Sequence, residues 1–148
     1  MDSILNDLIK EAKKAQAHAH APYSDHPVGV ALLTNDGTIH SGCNVENAAY
    51  PLGNCAEPGA IADMVKKGHR YIRMLVVVGP ATSLCTPCGG CRQRIREFGN
   101  DHTHIYVCDV KGNIMLSTTL GALLPHSFGP ENIDETKKLA EIRKLSNE

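Results

Sequence analysis

The amino-acid sequence predicts a three-layer α/β/α sandwich built on a mixed five-stranded sheet. The main indication is the order of its apolar segments, α-β-β-α-β-α-β-β, within 148 residues, a length typical of one domain. Met74 to Val78 is apolar without alternation, as in a strand that helices cover on both faces. A strand-helix-strand crossover usually forms a right-handed parallel pair, so we expect parallel strands beside those of a hairpin.

The first half of the chain is predicted to contain one helix and one hairpin. Ser3 is expected to cap a helix that Ala21-Pro22-Tyr23 ends. The apolar residues of this helix recur at intervals of three and four, at Ile4, Leu5, Leu8, Ile9 and Ala12. Val28 to Leu33 and Thr38 to Cys43 are expected to pair as strands around the turn residues Asn35-Asp36-Gly37.

The second half is predicted to hold two helices and three strands. Helical spacing of apolar residues predicts a helix from Ala56 to Lys67, ahead of the central strand. A third helix is expected from Gly89 to Phe98. The last two strands are expected from His104 to Asp109 and from Ile114 to Thr118, with Lys111-Gly112-Asn113 as the turn.

We expect one domain over residues 1–133 and a charged tail over residues 134–148. From Asp134 to Leu145 the only apolar residues at helical spacing are Leu139, Ile142 and Leu145. Such a narrow stripe predicts a peripheral helix or a frayed end.

Composition and charge restrict the function classes. Hydrophobic residues make up 42% and charged residues 21%, a balance typical of a soluble globular protein. The net charge of -1 leaves too little positive charge for a protein whose main function is to bind the polyanionic backbone of nucleic acid. No segment approaches the roughly 20 apolar residues of a membrane span, and Met1 to Lys10 lacks a secretory apolar block. We therefore expect a cytoplasmic protein with neither nucleic acid nor membrane as partner, whose six cysteines are free or metal-bound.

Two cysteines three residues apart, Cys88 and Cys91, follow Pro87 where a strand is expected to give way to a helix. Both sulfurs can bind one metal ion there, and a helix N-terminus favours their thiolate form. Cys55 opens the preceding helix in the same way and could supply a third sulfur. The alternative is a redox dithiol, because thioredoxin-like motifs occupy the same kind of junction.

The segment Cys55-Ala56-Glu57 favours a catalytic metal. Three sulfurs leave one position of a tetrahedral zinc site for water, and the carboxylate of Glu57 can move protons beside it. A structural site would instead need a fourth protein ligand. The candidates for that ligand are Cys43, Cys85, Cys108 and the histidines.

Several spaced motifs then agree in order with one family. Cys55-Ala56-Glu57, followed by Pro87-Cys88-x-x-Cys91 and Arg92-Gln93, resembles the zinc-dependent cytidine deaminases. The other matching positions are Tyr23-Ser24, Pro27-Val28-Gly29, Gly42 to Tyr50, Leu124-Pro125 and Phe128. These segments are similar to the small, homotetrameric, bacterial-type nucleoside deaminases, over roughly Ala21 to Glu131.

The resemblance implies a cytidine deaminase-like fold and one zinc ion per chain, bound by Cys55, Cys88 and Cys91. It implies hydrolysis of cytidine, and of 2'-deoxycytidine, to the uridine product and ammonia with a zinc-activated water. Glu57 would take a proton from the water, deliver it to ring N3 and then help to protonate the leaving amine.

The resemblance also implies a set of substrate contacts. Asn44 and Glu46 match the family's ribose-binding pair, and an amide with a carboxylate suits sugar hydroxyls. Ala56 would lie at the substrate, and Phe128 would pack on the pyrimidine of a neighbouring subunit, which implies a homotetramer with active sites at subunit interfaces. The alternatives are that Asn44 and Glu46 are ordinary loop residues and that Phe128 fills a core or an interface.

Two residues depart from the family pattern. Pro58 stands where the family usually has an Arg that offsets the three thiolates, and His26 stands where it commonly has an apolar aromatic residue. We hypothesise that His26 lines the pocket and supplies a polar or positive group near the ligand that partly replaces the absent Arg; the alternative is a solvent-exposed loop histidine.

The departure at Pro58 keeps other functions open. One is the deamination of a modified cytosine nucleoside such as blasticidin S. From another class, the chain could be a thiol redox protein or a zinc-binding protein without enzymatic activity. No Walker-type phosphate loop is found, so the motifs favour a nucleoside over a nucleotide.

Overall fold

A computed structural model describes residues 2–146 of the chain. The helices are α1 (Asp2–Gln16), α2 (Ala56–Lys66), α3 (Gly89–Phe98), α4 (Leu120–Leu123) and α5 (Pro130–Ser146). The strands are β1 (Gly29–Thr34), β2 (Ile39–Cys43), β3 (Ile72–Val78), β4 (His104–Cys108) and β5 (Ile114–Thr119). A short 3-10 helix covers Tyr50–Leu52.

The five strands form one mixed sheet, which confirms the predicted fold class. Its order is β2-β1-β3-β4-β5, with β3 and β4 parallel and the other neighbours antiparallel. The parallel pair is joined by α3, as expected for a strand-helix-strand crossover. The absence of alternation in β3 has its physical cause in this order, because the strand is central and packed on both faces.

Alternate residues of the central strands form two apolar clusters. On one face, Ala31 and Val76 pack with Leu8 and Ala12 of α1. On the other face, the cluster includes Val30, Leu32, Leu75 and Val77 of the sheet, Ala60 and Met64 of α2 and Ile95 of α3. The molecule therefore has three layers, with α1 on one side of the sheet and α2 and α3 on the other.

The position of α2 depends on Gly42 in β2. A Cβ atom at Gly42 would lie 2.4 Å from the Ala60 nitrogen and 2.6 Å from the Ala56 oxygen. The backbone of α2 thus rests directly on β2, which leaves no room for a side chain at this position. This close approach sets the location of the N-terminus of α2, where Cys55 lies.

Several predicted boundaries were wrong by a few residues. Ser3 lies inside α1, which begins at Asp2, so Ser3 is not its N-cap. The helix ends at Gln16, ahead of Ala21, because His20 forms a bridge with Val45 and its N–H donates to the Asn44 carbonyl at 3.0 Å. Sequence periodicity carries no information about such long-range pairing.

The C-terminal part contains two features that periodicity did not place. The single turn α4 was not predicted; its N-cap is Thr119, whose Oγ1 accepts a hydrogen bond from the Ala122 N–H at 3.2 Å. Helix α5 begins at Pro130, ahead of the predicted boundary at residue 134, and has no buried residue. Within residues 2–146, no helix combines the length and the apolar character needed to cross a membrane.

Candidate metal centre and substrate cavity

Three cysteine sulfurs converge where two helices begin. Cys55 is the N-cap of α2, Cys88 is the N-cap of α3, and Cys91 lies in the first turn of α3. Their sulfur atoms all lie within 4.8 Å of one another, and those of Cys55 and Cys88 are 3.8 Å apart. A tetrahedral zinc ion with bonds of about 2.3 Å to sulfur needs sulfurs about 3.8 Å apart. The donor set therefore fits one zinc ion.

The ionisation of these thiols explains why a cation is needed. Burial, reinforced by the nearby Glu57 carboxylate, raises the pKa of Cys91, and burial also raises that of Cys55. The backbone N–H of Cys91 lowers the pKa of Cys88. Three sulfur anions at this separation repel one another, so a divalent cation is required to hold all three as thiolates.

Glu57 lies beside this cluster in the first turn of α2. Glu57 is only 3% exposed, which is unusual for a residue with a carboxylate. Its carboxylate lies close enough to the Cys91 thiol to raise the pKa of that thiol. The adjacent Pro58 lies in the same first turn, where its missing N–H costs no helical hydrogen bond. A carboxylate held this way next to three metal ligands can exchange protons with a molecule bound there.

A cavity of about 260 Å³ opens above the cysteines and Glu57. Cys55, Cys88 and Glu57 line it, together with three residues singled out from the sequence, Asn44, Ala56 and His26. The structure thus brings these six side chains to one cavity. Glu46 and Phe128 do not line it.

Asn44 and Glu46 both hold the loop that carries His26. Asn44 Oδ1 accepts from the Val28 N–H at 2.8 Å, and Asn44 Nδ2 donates to the His26 carbonyl at 2.9 Å. The Glu46 carboxylate accepts from the backbone N–H groups of Tyr23 at 3.0 Å and Ser24 at 3.1 Å, and from the Ser24 hydroxyl. The hydrogen bond from Ser24 lowers the pKa of Glu46.

Glu46 belongs to a neighbouring cavity of about 300 Å³, which Tyr23, Ser24 and Tyr50 also line. The Glu46 carboxylate thus lies in a second cavity, and it contacts the loop that also carries His26. Binding of ribose by Asn44 and Glu46 stays a prediction, since every contact of these two side chains described above is with the protein itself.

Phe128 is 60% exposed on the C-terminal segment. Its carbonyl accepts a hydrogen bond from Gln93 Nε2 at 2.9 Å, and Arg96 Nε donates to the neighbouring Ser127 hydroxyl at 2.8 Å. Helix α3 therefore carries two of the three cysteines at one end and holds the segment of Phe128 along its side.

Arg92 supports the loop that precedes Cys88. Its guanidinium donates to the Pro87 carbonyl at 2.7 Å, to the Leu123 carbonyl at 2.8 Å and to the Thr86 hydroxyl at 3.2 Å. This arginine therefore orients the chain just before a metal ligand.

Four residues of the cavity wall were not predicted as site residues from the sequence: Val28, Val77, Cys85 and Thr86. The sequence indicated Cys85 only as a possible fourth metal ligand. Within residues 2–146 the cluster of ligand atoms contains the three cysteines Cys55, Cys88 and Cys91 and no fourth member, so the closed structural site is not favoured.

The Cys85 sulfur lies 3.7 Å from His26 Nε2. Burial, with the nearby charge of Glu57, raises the pKa of Cys85, which keeps it a thiol. The available signal was its place three residues before Cys88.

Comparison with known proteins identifies the family. Residues 2–108 match the family model of the cytidine and deoxycytidylate deaminase zinc-binding region. A cytidine deaminase from Sporosarcina psychrophila is 47% identical over 126 residues, which is 85% of this chain and 92% of that protein. The crystal structure of a cytidine deaminase from Burkholderia pseudomallei is 42% identical with a TM-score of 0.77, covering 83% of this chain and 98% of that chain.

The crystal structure of cytidine deaminase from Mycobacterium tuberculosis is 37% identical with a TM-score of 0.74, covering 84% of this chain and 96% of that chain. This chain thus covers nearly the whole length of each of these three relatives. The chain belongs to the family of zinc-dependent cytidine and deoxycytidylate deaminases.

Proposed function

We propose that this protein hydrolyses cytidine, and also 2'-deoxycytidine, to the uridine product and ammonia. The observation that carries the proposal is the buried Glu57 carboxylate beside three cysteine sulfurs at one cavity. The 47% identity to a cytidine deaminase over 85% of the chain supports cytidine as the substrate.

Cys55, Cys88 and Cys91 would hold the zinc ion. When bound, zinc supplies a Lewis acid that makes a water molecule nucleophilic at neutral pH. With zinc bound, the carboxylate of Glu57 would take one proton from this water and pass it to N3 of the pyrimidine, and would then carry the second proton of the same oxygen to the leaving amine. The C–O bond would form at C4 first, and the C–N bond would then break, so that the protonated amine leaves as ammonia.

The remaining residues position the nucleoside in this proposal. Asn44 and Glu46 bind ribose hydroxyls, Ala56 lies next to the base because it adjoins Glu57 at the start of α2, and His26 lines the base pocket. The start of α2 and the start of α3 also direct partial positive charge at the sulfurs, which partly offsets the arginine that Pro58 replaces.

We further propose a homotetramer whose active sites include Phe128 of a neighbouring subunit. The exposed aromatic side chains of Phe128 at 60% and Tyr50 at 74% support an interface at these residues. Residues 1–133 would form the deaminase domain and residues 134–148 a peripheral tail, in keeping with the exposure of α5. None of the six cysteines forms a disulfide in the structure, which supports a cytoplasmic location.

The proposal is tested with purified protein in an ultraviolet assay over cytidine, 2'-deoxycytidine and blasticidin S. We expect turnover of the first two and about one zinc ion per chain. Glu57→Gln should keep zinc and fold but lower kcat by about 10² to 10⁴, the usual loss for a missing general acid-base. Near-normal ammonia release by this variant would contradict the role of Glu57. Turnover of blasticidin S alone would show that the substrate is this modified nucleoside and not cytidine.

A further inference from the structure

Two polar side chains meet across the cavity without belonging to the metal cluster. His26 lies on the loop before β1 and Cys85 on the loop after β3, so 59 residues separate them in the chain. Both line the cavity that contains Glu57, and the Cys85 sulfur is 3.7 Å from His26 Nε2. This separation permits a hydrogen bond between a thiol and an imidazole nitrogen.

The position of Cys85 is set by the end of the central strand. Gly79 directly follows β3, and a Cβ atom built there would lie 2.6 Å from the Cys85 Cβ and 3.3 Å from its sulfur. Cys85 is therefore seated against a backbone site that admits no side chain. The Cys85 thiol is therefore fixed against the end of β3, the central strand that is packed on both faces.

Hydrogen bonds on both sides also fix the backbone of His26. Its N–H donates to the Ser24 hydroxyl at 3.1 Å, and its carbonyl accepts from Asn44 Nδ2 at 2.9 Å. Asp25, the residue before it, has a left-handed φ of 54°, a conformation that Asp tolerates better than most residues. The backbone of His26 is therefore fixed on both sides, while its ring has one polar contact within the described residues, the sulfur of Cys85.

We propose that Cys85 is a positioning residue for His26: its thiol donates a hydrogen bond to Nε2 and holds the imidazole on the wall of the substrate cavity. The inference deepens the proposed function and rests on it, because it makes this pair a determinant of nucleoside binding. A neutral imidazole that accepts at Nε2 carries its proton on Nδ1. The pair therefore presents one defined tautomer of His26.

Kinetic measurements on the zinc-loaded enzyme test the effect on substrate. Cys85→Ala should raise KM for cytidine about three- to tenfold, as expected for one lost hydrogen bond, while kcat changes less than about twofold. Cys43→Ala is the matched control, since Cys43 is also a half-buried thiol but does not line the cavity, and it should leave KM unchanged.

A double-mutant cycle tests whether Cys85 acts through His26. In the His26→Phe background, Cys85→Ala should change kcat/KM less than about 1.5-fold, because the partner is already absent. Multiplication of the two single-variant losses in the double variant would overturn the proposal, as would an unchanged KM in Cys85→Ala.

The tautomer provides a readout that does not need turnover. In ¹⁵N-labelled holoenzyme near pH 8, NMR of the His26 ring should show the proton on Nδ1, and Cys85→Ala should shift it toward Nε2 while thermal unfolding stays unchanged. A proton on Nε2 in the wild type would overturn the pairing. A wild type that fails to deaminate cytidine would refute the proposed function and the effect on substrate, and the NMR result would still decide whether Cys85 holds His26.

Discussion

The sulfur atom of Cys55 lies 3.8 Å from that of Cys88, although the two residues are 33 positions apart and begin different helices. Each is an N-cap, so the starts of α2 and α3 meet at one point. Two helices that pack on the same face of the sheet thus deliver metal ligands from distant parts of the chain. The metal site and the packing of these helices are therefore coupled.

This coupling predicts the result of removing one ligand. Cys55→Ala should reduce bound zinc from about one ion per chain to nearly none, measured by inductively coupled plasma mass spectrometry, because two thiolates cannot complete the site. The melting temperature should fall as well, since metal binding contributes to folding free energy. Cys43→Ala should retain its zinc. Full zinc content in Cys55→Ala would show that other residues bind the metal.

The two roles of Glu46, binding of ribose and support of the loop, can be separated with a substrate that lacks the 2' and 3' hydroxyls of the sugar. Glu46→Gln should raise KM for cytidine, because an amide is a weaker acceptor than a carboxylate for a hydroxyl. If Glu46 contacts ribose, the increase should be much smaller with 2',3'-dideoxycytidine. An equal increase with both substrates would mean that Glu46 acts only through its hydrogen bonds to Tyr23 and Ser24.

The residues that depart from the family pattern predict opposite shifts in pH dependence. Pro58→Arg adds a cation in the first turn of α2, which should stabilise the ionised nucleophile and move the acidic limb of the kcat/KM profile to lower pH. His26→Phe should move that limb to higher pH if the polar ring of His26 partly replaces the missing arginine. An unchanged profile and rate in His26→Phe would rule out this compensating role.

The pair formed by the buried His40 and Asp63, outside the cavity, predicts that the stability of the fold depends on pH in acid. His40 is 3% exposed, and its Nδ1 donates to Asp63 Oδ2 at 2.8 Å. Burial opposes ionisation of Asp63, but the hydrogen bonds from His40 and Lys67 prevail and lower the pKa of Asp63 below its ordinary value of 3.8. A carboxyl whose pKa is lower in the folded state stabilises the fold above the unfolded pKa, and this contribution is lost as pH falls through the folded value.

Wild-type stability should therefore include a term from Asp63 that disappears below about pH 4. Urea unfolding between pH 7 and pH 3 should be less dependent on pH in Asp63→Asn than in the wild type. Asp7→Asn, at an exposed position on α1, is the control and should follow the wild type. A parallel course for wild type and Asp63→Asn would exclude the contribution.

The C-terminal segment is attached to α3 by an asymmetric ion pair. Arg96 is 8% exposed and donates to Glu131, which lies in the first turn of α5. Glu131→Gln leaves a buried guanidinium without its carboxylate, so it should lower the free energy of unfolding by about 1 kcal/mol or more. The exposed Glu135→Gln should change stability by less than about 0.5 kcal/mol. Equal stabilities of the two variants in urea unfolding would contradict this attachment.

Much of the site was accessible from the sequence because its signals are local. Cys88 and Cys91 are one helical turn apart, and Cys55-Ala56-Glu57 places a carboxylate two residues after a ligand, so spacing alone indicated a metal with a proton carrier. The central strand Ile72–Val78 was recognisable because burial on both faces requires an unbroken apolar run. The end of α1 was not, since pairing of His20 with Val45 decides it.

The sequence by itself indicated Cys55-Ala56-Glu57, the pair Cys88 and Cys91 and the strand-helix order, because each of these patterns involves residues close together in the chain. Only the tertiary structure decided that Asn44 and Glu46 fasten the loop of His26, and that Cys85 faces His26 rather than the metal cluster. These contacts join segments 16 to 59 residues apart, as from Val28 to Asn44 and from His26 to Cys85. Which polar groups meet across such distances is set by the packing of α2 on Gly42 and by the order of the sheet, and no local pattern encodes either.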